Sequence, residues 1–142
     1  MSDEDRGHMD VAAGVVSVLV VDDQAPFRVA AKAVIARVPG FVLAAEATNG
    51  EEAVETASRL HPAVVLMDIN MGSMDGLEAT ELITRTAPDT LVILVSTYQP
   101  EDLPPAAHTC GAAAYVNKDE LSPRTLRRLW DAGGDPDWRS AG

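Results

Sequence analysis

Five polar residues whose side chains could do chemistry each come directly after an apolar run of the sequence. Asp22 and Asp23 follow the first run, Asp68 follows a later one, and Ser96 and Lys118 follow two more. Adjacent carboxylates repel one another, and removal from water makes the repulsion worse. The Asp22-Asp23 pair therefore indicates either a solvated surface turn or a crevice that holds a cation.

These residue types suit the binding of Mg²⁺ and the transfer of a phosphoryl group. Clustered carboxylates offer the oxygen ligands that a hard divalent cation prefers. One carboxylate of such a cluster can also act as a nucleophile and form an acyl phosphate. A hydroxyl and an ammonium group stabilise the charge on the transferring phosphoryl group. Each residue alone is more typical of the solvated surface, but five of them at strand ends favour one shared site.

The apolar runs alternate with amphipathic stretches of helical spacing. Uninterrupted strands that alternate with helices predict an α/β fold with a doubly wound parallel sheet. In such a sheet, sites form at the carboxyl ends of the strands. The predicted strands are Val15–Val21, Phe41–Glu46, Ala63–Met67, Leu91–Val95 and Ala113–Val116, and helices are predicted over Pro26–Val38, after Asn49-Gly50, over Asp75–Thr86 and after Ser122.

Composition narrows the class of protein. The chain has 142 residues, 46% of them hydrophobic, one cysteine and a formal net charge of -11. This length suits one domain, and we predict a flexible leader over 1–14, a domain over 15–132 and a tail over 133–142. No run is long enough to span a membrane, and the acidic balance disfavours direct nucleic-acid binding. A single cysteine, Cys110, fits a cytoplasmic chain and a small buried side chain.

Four short motifs carry a resemblance to a known family. The chain resembles the receiver domain of two-component response regulators over about Val15 to Asp131, including the receivers of helix-turn-helix transcription factors. No such output domain follows, so we expect a stand-alone receiver. The motifs are "VDD" at Val21–Asp23, "MDINM" and "DG" within Met67–Gly76, "VST" at Val95–Thr97 and "GAAAYVNKD" at Gly111–Asp119.

The resemblance implies a magnesium-dependent phosphorylation site. Asp68 matches the phosphoacceptor, which is also a metal ligand. Asp22 and Asp23 match the acidic pair that holds Mg²⁺, with Asp23 as the more direct ligand. Asn70 matches the residue whose backbone carbonyl completes the metal shell.

The resemblance also implies residues that respond to the phosphoryl group. Ser96 matches the switch hydroxyl, Lys118 the lysine that pairs with the phosphoryl group, and Tyr115 the aromatic residue that changes rotamer. Thr97 competes with Ser96 for the hydroxyl role, but the spacing of 22 residues from Ser96 to Lys118 matches the family. Without the motif, Tyr115 is more typical of a strand aromatic packed on the edge of the sheet than of a switch residue.

The family further implies a flavodoxin-like strand order, 2-1-3-4-5. Its usual fourth helix should be short or irregular here, because Pro104-Pro105 cannot lie inside a helix without loss of backbone hydrogen bonds. We expect a sensor histidine kinase or a phosphotransfer protein to phosphorylate Asp68. That event would change the affinity for an unidentified protein partner, with no enzymatic activity beyond self-phosphorylation and self-dephosphorylation.

Two other functions are compatible with the sequence. A phosphorylation-independent interaction module would keep the fold and lose the switch. An aspartate-nucleophile phosphatase is disfavoured, because its acids lie two residues apart and those of Asp22-Asp23 are adjacent. The last helix carries Arg124, Arg127 and Arg128 on one side, which is either a solvated face or a docking face. The three histidines, among them His108, are interpreted as surface residues.

Overall fold

One parallel sheet organises the computed structural model, which describes residues 14–71 and 75–141. Its five strands lie in the order β2-β1-β3-β4-β5, as predicted, and every neighbouring pair is parallel. The strands are β1 (Val16–Val21), β2 (Phe41–Ala47), β3 (Val64–Asp68), β4 (Leu91–Ser96) and β5 (Ala114–Asn117).

Helices cover both faces of the sheet. Three of them begin at a residue whose side chain accepts a backbone N–H of the first turn, namely Asn49, Asp75 and Ser122. The helices are α1 (Ala25–Ala36), α2 (Gly50–Leu60), α3 (Gly76–Thr86), α4 (Pro123–Ala132) and α5 (Pro136–Ala141), and short 3-10 turns cover Pro100–Asp102, Pro105–His108 and Lys118–Glu120.

The alternation of side chains along the strands divides the core into two layers. Ile35 of α1 and Leu126 of α4 pack on one face of the sheet with Val20 of β1. Ala57 of α2 and Ile83 of α3 pack on the other face. The strands β1, β3 and β4 are buried along their whole length, because helices cover both of their faces. The two layers hold the strand ends in a fixed relation to one another.

The segment between β4 and β5 contains two 3-10 turns and no α-helix. This confirms the expectation of a short or irregular fourth helix. Pro104 precedes the second turn, and a proline ring is compatible only with a helix start. Leu103 and Ala107 are buried in the core, so the segment is packed although it is irregular.

The end of the chain differs from the predicted tail over 133–142. Within it, α5 forms a short helix, and Trp138 is 9% exposed and packs in the core. Asp135 anchors the helix, because its N–H donates to the Ala113 carbonyl (2.9 Å) and its Oδ1 accepts from the Asp137 N–H (3.0 Å). The predicted leader, 1–14, lies outside the described residues except for Gly14. Among the described residues, no helix has the length and apolar character needed to cross a membrane.

His108 also differs from the expectation of a surface residue. It lies at the end of the second 3-10 turn and is half-buried, with its ring stacked on Trp138 at a centroid distance of 4.1 Å. The helix α5 covers it, which the sequence pattern did not predict. Cys110 is buried as predicted, and its thiol donates to the Ala107 carbonyl (3.4 Å).

Gly76 joins the fold to the predicted acceptor residue, Asp68. Its N–H donates to the Ile69 carbonyl (2.8 Å), which holds the start of α3 against the end of β3. A Cβ atom at position 76 would lie 1.9 Å from the Asp68 carbonyl oxygen. Only glycine therefore allows α3 to begin this close to the residue that ends β3.

We expect Gly76→Ala to displace the end of β3 and to lower the free energy of unfolding by about 2–4 kcal/mol. The methyl group would collide with backbone atoms, which cannot rotate away as a flexible side chain could. Urea denaturation measures the loss, with the exposed Glu81→Ala of the same helix as the control. Equal stability of the two variants would contradict the close approach.

Candidate functional site

Three carboxylates meet at the carboxyl edge of the sheet. Asp22 and Asp23 follow β1, and Asp68 ends the adjacent parallel strand β3. Ligand oxygens of the three residues all lie within 4.8 Å of one another. Asp22 is fully buried and Asp68 is 5% exposed, whereas Asp23 is exposed to solvent. The structure thus brings together the three acids that the sequence proposed as metal ligands.

Lys118 reaches this acidic cluster from the end of the edge strand β5. It directly follows β5, and its Nζ lies 2.6 Å from Asp22 Oδ2 and 3.5 Å from Asp68 Oδ1. The ammonium also lies 4.8 Å from the centroid of the Phe27 ring, within the range of a cation–π interaction. The long aliphatic stem of Lys118 lets the charged end reach the acids from this edge strand.

The backbone around the first acid is fixed by further hydrogen bonds. The Gln24 N–H donates to Asp22 Oδ1 (2.8 Å), and Arg28 Nη1 donates to the Asp22 carbonyl (2.9 Å). Arg28 is itself held by Glu46, whose Oε1 lies 3.0 Å from Arg28 Nε. Asp22 therefore has a defined orientation, with one carboxylate oxygen bound to the backbone and the other to Lys118.

The pKa values report the crowding of negative charge. Burial, with the nearby charge of Asp22, raises the pKa of Asp68 from 3.8 to about 6, although Lys118 opposes the rise. Burial lowers the pKa of Lys118, but the hydrogen bond and charge of Asp22 and the charge of Asp68 outweigh it, so the net shift is upward. Lys118 consequently stays protonated at neutral pH and supplies one positive charge to three acids.

The donor set fits Mg²⁺. All three groups offer carboxylate oxygen, and a single ammonium leaves the cluster with an excess of negative charge. Asp22, Asp23 and Asp68 are the side chains that would hold the ion. Asn70 is exposed, and its side-chain amide donates to the Tyr98 hydroxyl (3.1 Å). The part predicted for its backbone carbonyl stays a prediction.

Ser96 and Tyr115 form a second group beside the acids. Ser96 ends β4 and is 3% exposed, whereas the rival Thr97 is exposed. The Ser96 and Tyr115 hydroxyls lie 2.8 Å apart, and the Tyr98 N–H donates to Ser96 Oγ (3.0 Å). The Tyr115 hydroxyl also lies 2.5 Å from the Tyr98 carbonyl. In this arrangement the Ser96 hydroxyl is bound to Tyr115 and Tyr98.

Two aromatic residues near the site were not predicted as site residues. Phe27 falls within the helix predicted over Pro26–Val38, and its ring lies beneath the Lys118 ammonium. Tyr98 connects Asn70 with the Ser96–Tyr115 pair through its hydroxyl and its backbone. Its place two residues after Ser96 was the available signal, because both residues lie beyond the carboxyl end of β4.

Comparison with known proteins identifies the family. The family model of the response regulator receiver domain matches residues 18–129. The chain belongs to this family. The match includes every residue proposed for the site, from Asp22 to Lys118. The acidic cluster described above therefore lies within a receiver domain.

Curated relatives share about a third of their aligned residues with this receiver domain. The transcriptional regulatory protein DegU of Brevibacillus brevis is 34% identical over 104 residues, which are 73% of this chain and 44% of that protein. The response regulator GacA of Pseudomonas viridiflava is 36% identical over 104 residues, or 73% of this chain and 49% of that protein. The matched region thus spans less than half the length of these relatives.

Solved receiver structures have the same fold. The response regulator domain of Thermotoga maritima CheB is 34% identical, with a TM-score of 0.74, and the match covers 86% of this chain and 99% of that one. The signal receiver domain of the response regulator NarL from Mycobacterium tuberculosis is 27% identical, also with a TM-score of 0.74, and covers 83% and 95%. The strand order and the helices on both faces are therefore those of the family.

We expect Asp68→Asn to stabilise the protein at pH 7 when divalent cations are chelated. The folded-state pKa of Asp68 lies above its ordinary value, so its contribution to stability is present below about pH 4 and is lost as the pH rises through 6. The neutral amide should therefore raise the free energy of unfolding by about 1–2 kcal/mol at pH 7, and by little at pH 4.

Urea denaturation at the two pH values, with and without Mg²⁺, measures this effect. Mg²⁺ should stabilise the wild type more than Asp68→Asn, because the variant lacks one anionic ligand. Asp75→Asn is the matched control, since asparagine caps a helix as well as aspartate does. A variant Asp68→Asn that is less stable than the wild type at pH 7 in chelator would refute the charge-crowding account.

Proposed function

We propose that this receiver domain accepts a phosphoryl group on Asp68 with Mg²⁺ bound and thereby changes its affinity for a protein partner. The observation that carries the proposal is the convergence of Asp22, Asp23 and Asp68 within 4.8 Å, with Lys118 in contact with two of them. The phosphoryl donor would be a phosphohistidine of a sensor kinase or a phosphotransfer protein. The printed names of the relatives, a transcriptional regulatory protein and a response regulator, support a signalling role.

The proposed transfer is a nucleophilic displacement at phosphorus. A carboxylate oxygen of Asp68 attacks the phosphorus atom, the P–N bond of the phosphohistidine breaks, and its electron pair stays on the imidazole nitrogen. The product is an acyl phosphate on Asp68. A pKa of about 6 leaves about 90% of Asp68 ionised at pH 7, so the nucleophile is available. Self-dephosphorylation is attack by water at the same phosphorus, which returns the carboxylate and releases inorganic phosphate.

The neighbouring residues would stabilise the charge on the phosphoryl group. When bound, Mg²⁺ supplies positive charge to the phosphoryl oxygens and offsets the repulsion between the acids. The ammonium of Lys118, now 3.5 Å from Asp68 Oδ1, is within reach of a phosphoryl group on that residue. The Ser96 hydroxyl would leave Tyr115 to donate to the phosphoryl group, which removes one of the hydrogen bonds that hold Tyr115 in its present orientation. This rearrangement is the proposed switch.

The readout would be a protein–protein interaction. The face next to Tyr115 would change shape and bind a different partner after phosphorylation. Catalysis would be confined to the chain's own Asp68, with no separate substrate. A single buried cysteine and a magnesium-dependent site support a cytoplasmic location.

One observation favours a second candidate function. The segment between β4 and β5 lacks the helix that receivers usually carry, so the face of the switch is altered. A phosphorylation-independent interaction module could bind a partner through such a face without phosphorylation of Asp68. The buried acidic cluster, which raises the pKa of Asp68 to about 6, favours the switch instead. Partner binding that is equal for the wild type and Asp68→Asn would favour the module.

We expect phosphoramidate with Mg²⁺ to label the wild type and to leave Asp68→Asn unlabelled. Phosphate-affinity gels separate the labelled from the unlabelled chain. Asp75→Asn is the control for the same chemical change at an exposed acid and should be labelled like the wild type. Chelation of Mg²⁺ should abolish labelling. Labelling of Asp68→Asn at the wild-type rate, or no labelling of the wild type, would overturn the proposed function.

Replacement of Lys118 by methionine should slow the labelling of Asp68 and shift it to higher pH. The lysine charge lowers the pKa of Asp68, so its loss raises that pKa and reduces the ionised fraction at neutral pH. Loss of a group that stabilises the transferring charge should lower the rate at pH 7 by about tenfold or more. A pH profile of labelling at fixed Mg²⁺ checks both effects. An unchanged profile would contradict the role proposed for Lys118 in phosphoryl transfer.

A further inference from the structure

The helix α5 covers the face on which the proposed switch would act. Trp138 is 9% exposed and lies between the second 3-10 turn and β5. Its ring stacks on His108 with an interplanar angle of 28° and lies 6.1 Å from the ring of Tyr115, measured between centroids. The C-terminal segment is therefore part of the surroundings of Tyr115.

The segment between β4 and β5 provides a suitable seat for this helix. Because it forms 3-10 turns, it covers less of the sheet than a full helix would, and Trp138 packs in the same cluster as Leu103, Ala107 and Cys110. A backbone hydrogen bond helps to fix the approach of α5, since the Asp135 N–H donates to the Ala113 carbonyl at the entrance to β5 (2.9 Å). The Trp138 side chain and this backbone hydrogen bond thus both contribute to seating the helix.

The same tyrosine connects this seat with the acidic site. The Tyr115 hydroxyl is bound to Ser96, at 2.8 Å, while its ring faces Trp138. If the Ser96 hydroxyl turns to a phosphoryl group on Asp68, Tyr115 loses this partner and keeps only the Ser96 and Tyr98 carbonyls, at 3.1 and 2.5 Å, so its hydroxyl is held by fewer hydrogen bonds. Movement of the ring removes part of the surface against which Trp138 packs. The docked helix and the phosphorylated site therefore favour different arrangements of Tyr115.

We propose that α5 is an internal latch: it docks on the Tyr115 face while Asp68 is unmodified and is released when Asp68 is phosphorylated. The inference rests on the proposed function, because phosphorylation of Asp68 is its input. A protein partner that binds the Tyr115 face would compete with Trp138 for it. The latch thereby keeps the Tyr115 face covered until Asp68 is phosphorylated.

The first test follows the exposure of Trp138. The chain has two tryptophans, so Trp130→Phe leaves Trp138 as the only indole. Beryllofluoride with Mg²⁺, which mimics the phosphoryl group, should shift the emission of Trp138 to longer wavelength and increase its quenching by acrylamide. The same additives should have no effect in the double variant that also carries Asp68→Asn.

The second test uses the reciprocity of coupled equilibria. If phosphorylation releases the latch, then loss of the latch must favour the phosphorylated arrangement. Beryllofluoride bound at Asp68 blocks labelling of that residue by phosphoramidate, so the concentration that halves labelling measures its affinity. In Trp138→Ala this concentration should fall by about fivefold or more. Trp138→Phe is the matched control, since it keeps an aromatic ring for the stack on His108 and should stay close to the wild type. Circular dichroism verifies that both variants are folded.

The outcomes separate the latch from the proposed function. Release of Trp138 together with the stronger effect of beryllofluoride in Trp138→Ala supports the latch. Labelling of Asp68 with unchanged exposure of Trp138 and an unchanged halving concentration overturns the latch and leaves the proposed function intact. Failure of Asp68 to be labelled at all overturns the proposed function, and the latch with it.

Discussion

The ion pair between Lys118 and the buried acids is the interaction on which the arrangement of the site depends. Three carboxylates lie within 4.8 Å of one another, and two of them, Asp22 and Asp68, are buried, so a nearby cation is needed to keep them ionised. Lys118 supplies one positive charge, 2.6 Å from the fully buried Asp22. One charge does not balance three, and burial together with the charge of Asp22 still raises the pKa of Asp68. The site is therefore held together and left electrostatically incomplete, which is the condition for binding a divalent metal and a phosphoryl group.

The sheet makes this arrangement possible because it fixes where each strand ends. Parallel strands that are buried on both faces cannot slide past one another without exposing apolar side chains. The register from β1 through β3 to β4 consequently sets the positions of Asp22, Asp68 and Ser96 together. Gly76 adds a local constraint, since it lets α3 begin directly against the carbonyl of Asp68. The apolar core thus determines the geometry of the polar site.

Much of this architecture is encoded locally and was predictable. Alternating apolar runs and amphipathic stretches give the strand and helix bounds to within one or two residues, and each polar site residue falls at a strand end. The grouping of Asp22, Asp68 and Lys118 follows from topology alone, because carboxyl ends of parallel strands share one edge. The contacts between side chains were harder to predict from the sequence. The position of Phe27 beneath the ammonium of Lys118, for example, depends on how α1 packs on the sheet.

The end of the chain could not be predicted for a different physical reason. The stretch after Gly133 has no apolar periodicity, and among its described side chains Trp138 is the one that packs in the hydrophobic core. Asp135-Pro136 is a helix-start signal, but a six-residue helix has no stability without tertiary contacts. Its position is therefore set by what it covers, namely His108 and the 3-10 segment left exposed where a regular helix is missing.

These features converge on Tyr115, the residue that the acidic site and the C-terminal helix share. Its hydroxyl belongs to the hydrogen bonds of Ser96 and Tyr98, and its ring belongs to the cluster that contains Trp138. A side chain with two such environments cannot move for one without a cost in the other. Burial raises the pKa of its hydroxyl, against the hydrogen bond to Ser96, so it remains a neutral donor at physiological pH. A change of charge at Asp68 that alters the position of Tyr115 can therefore alter the packing of Trp138 through the Tyr115 ring, without deformation of the sheet.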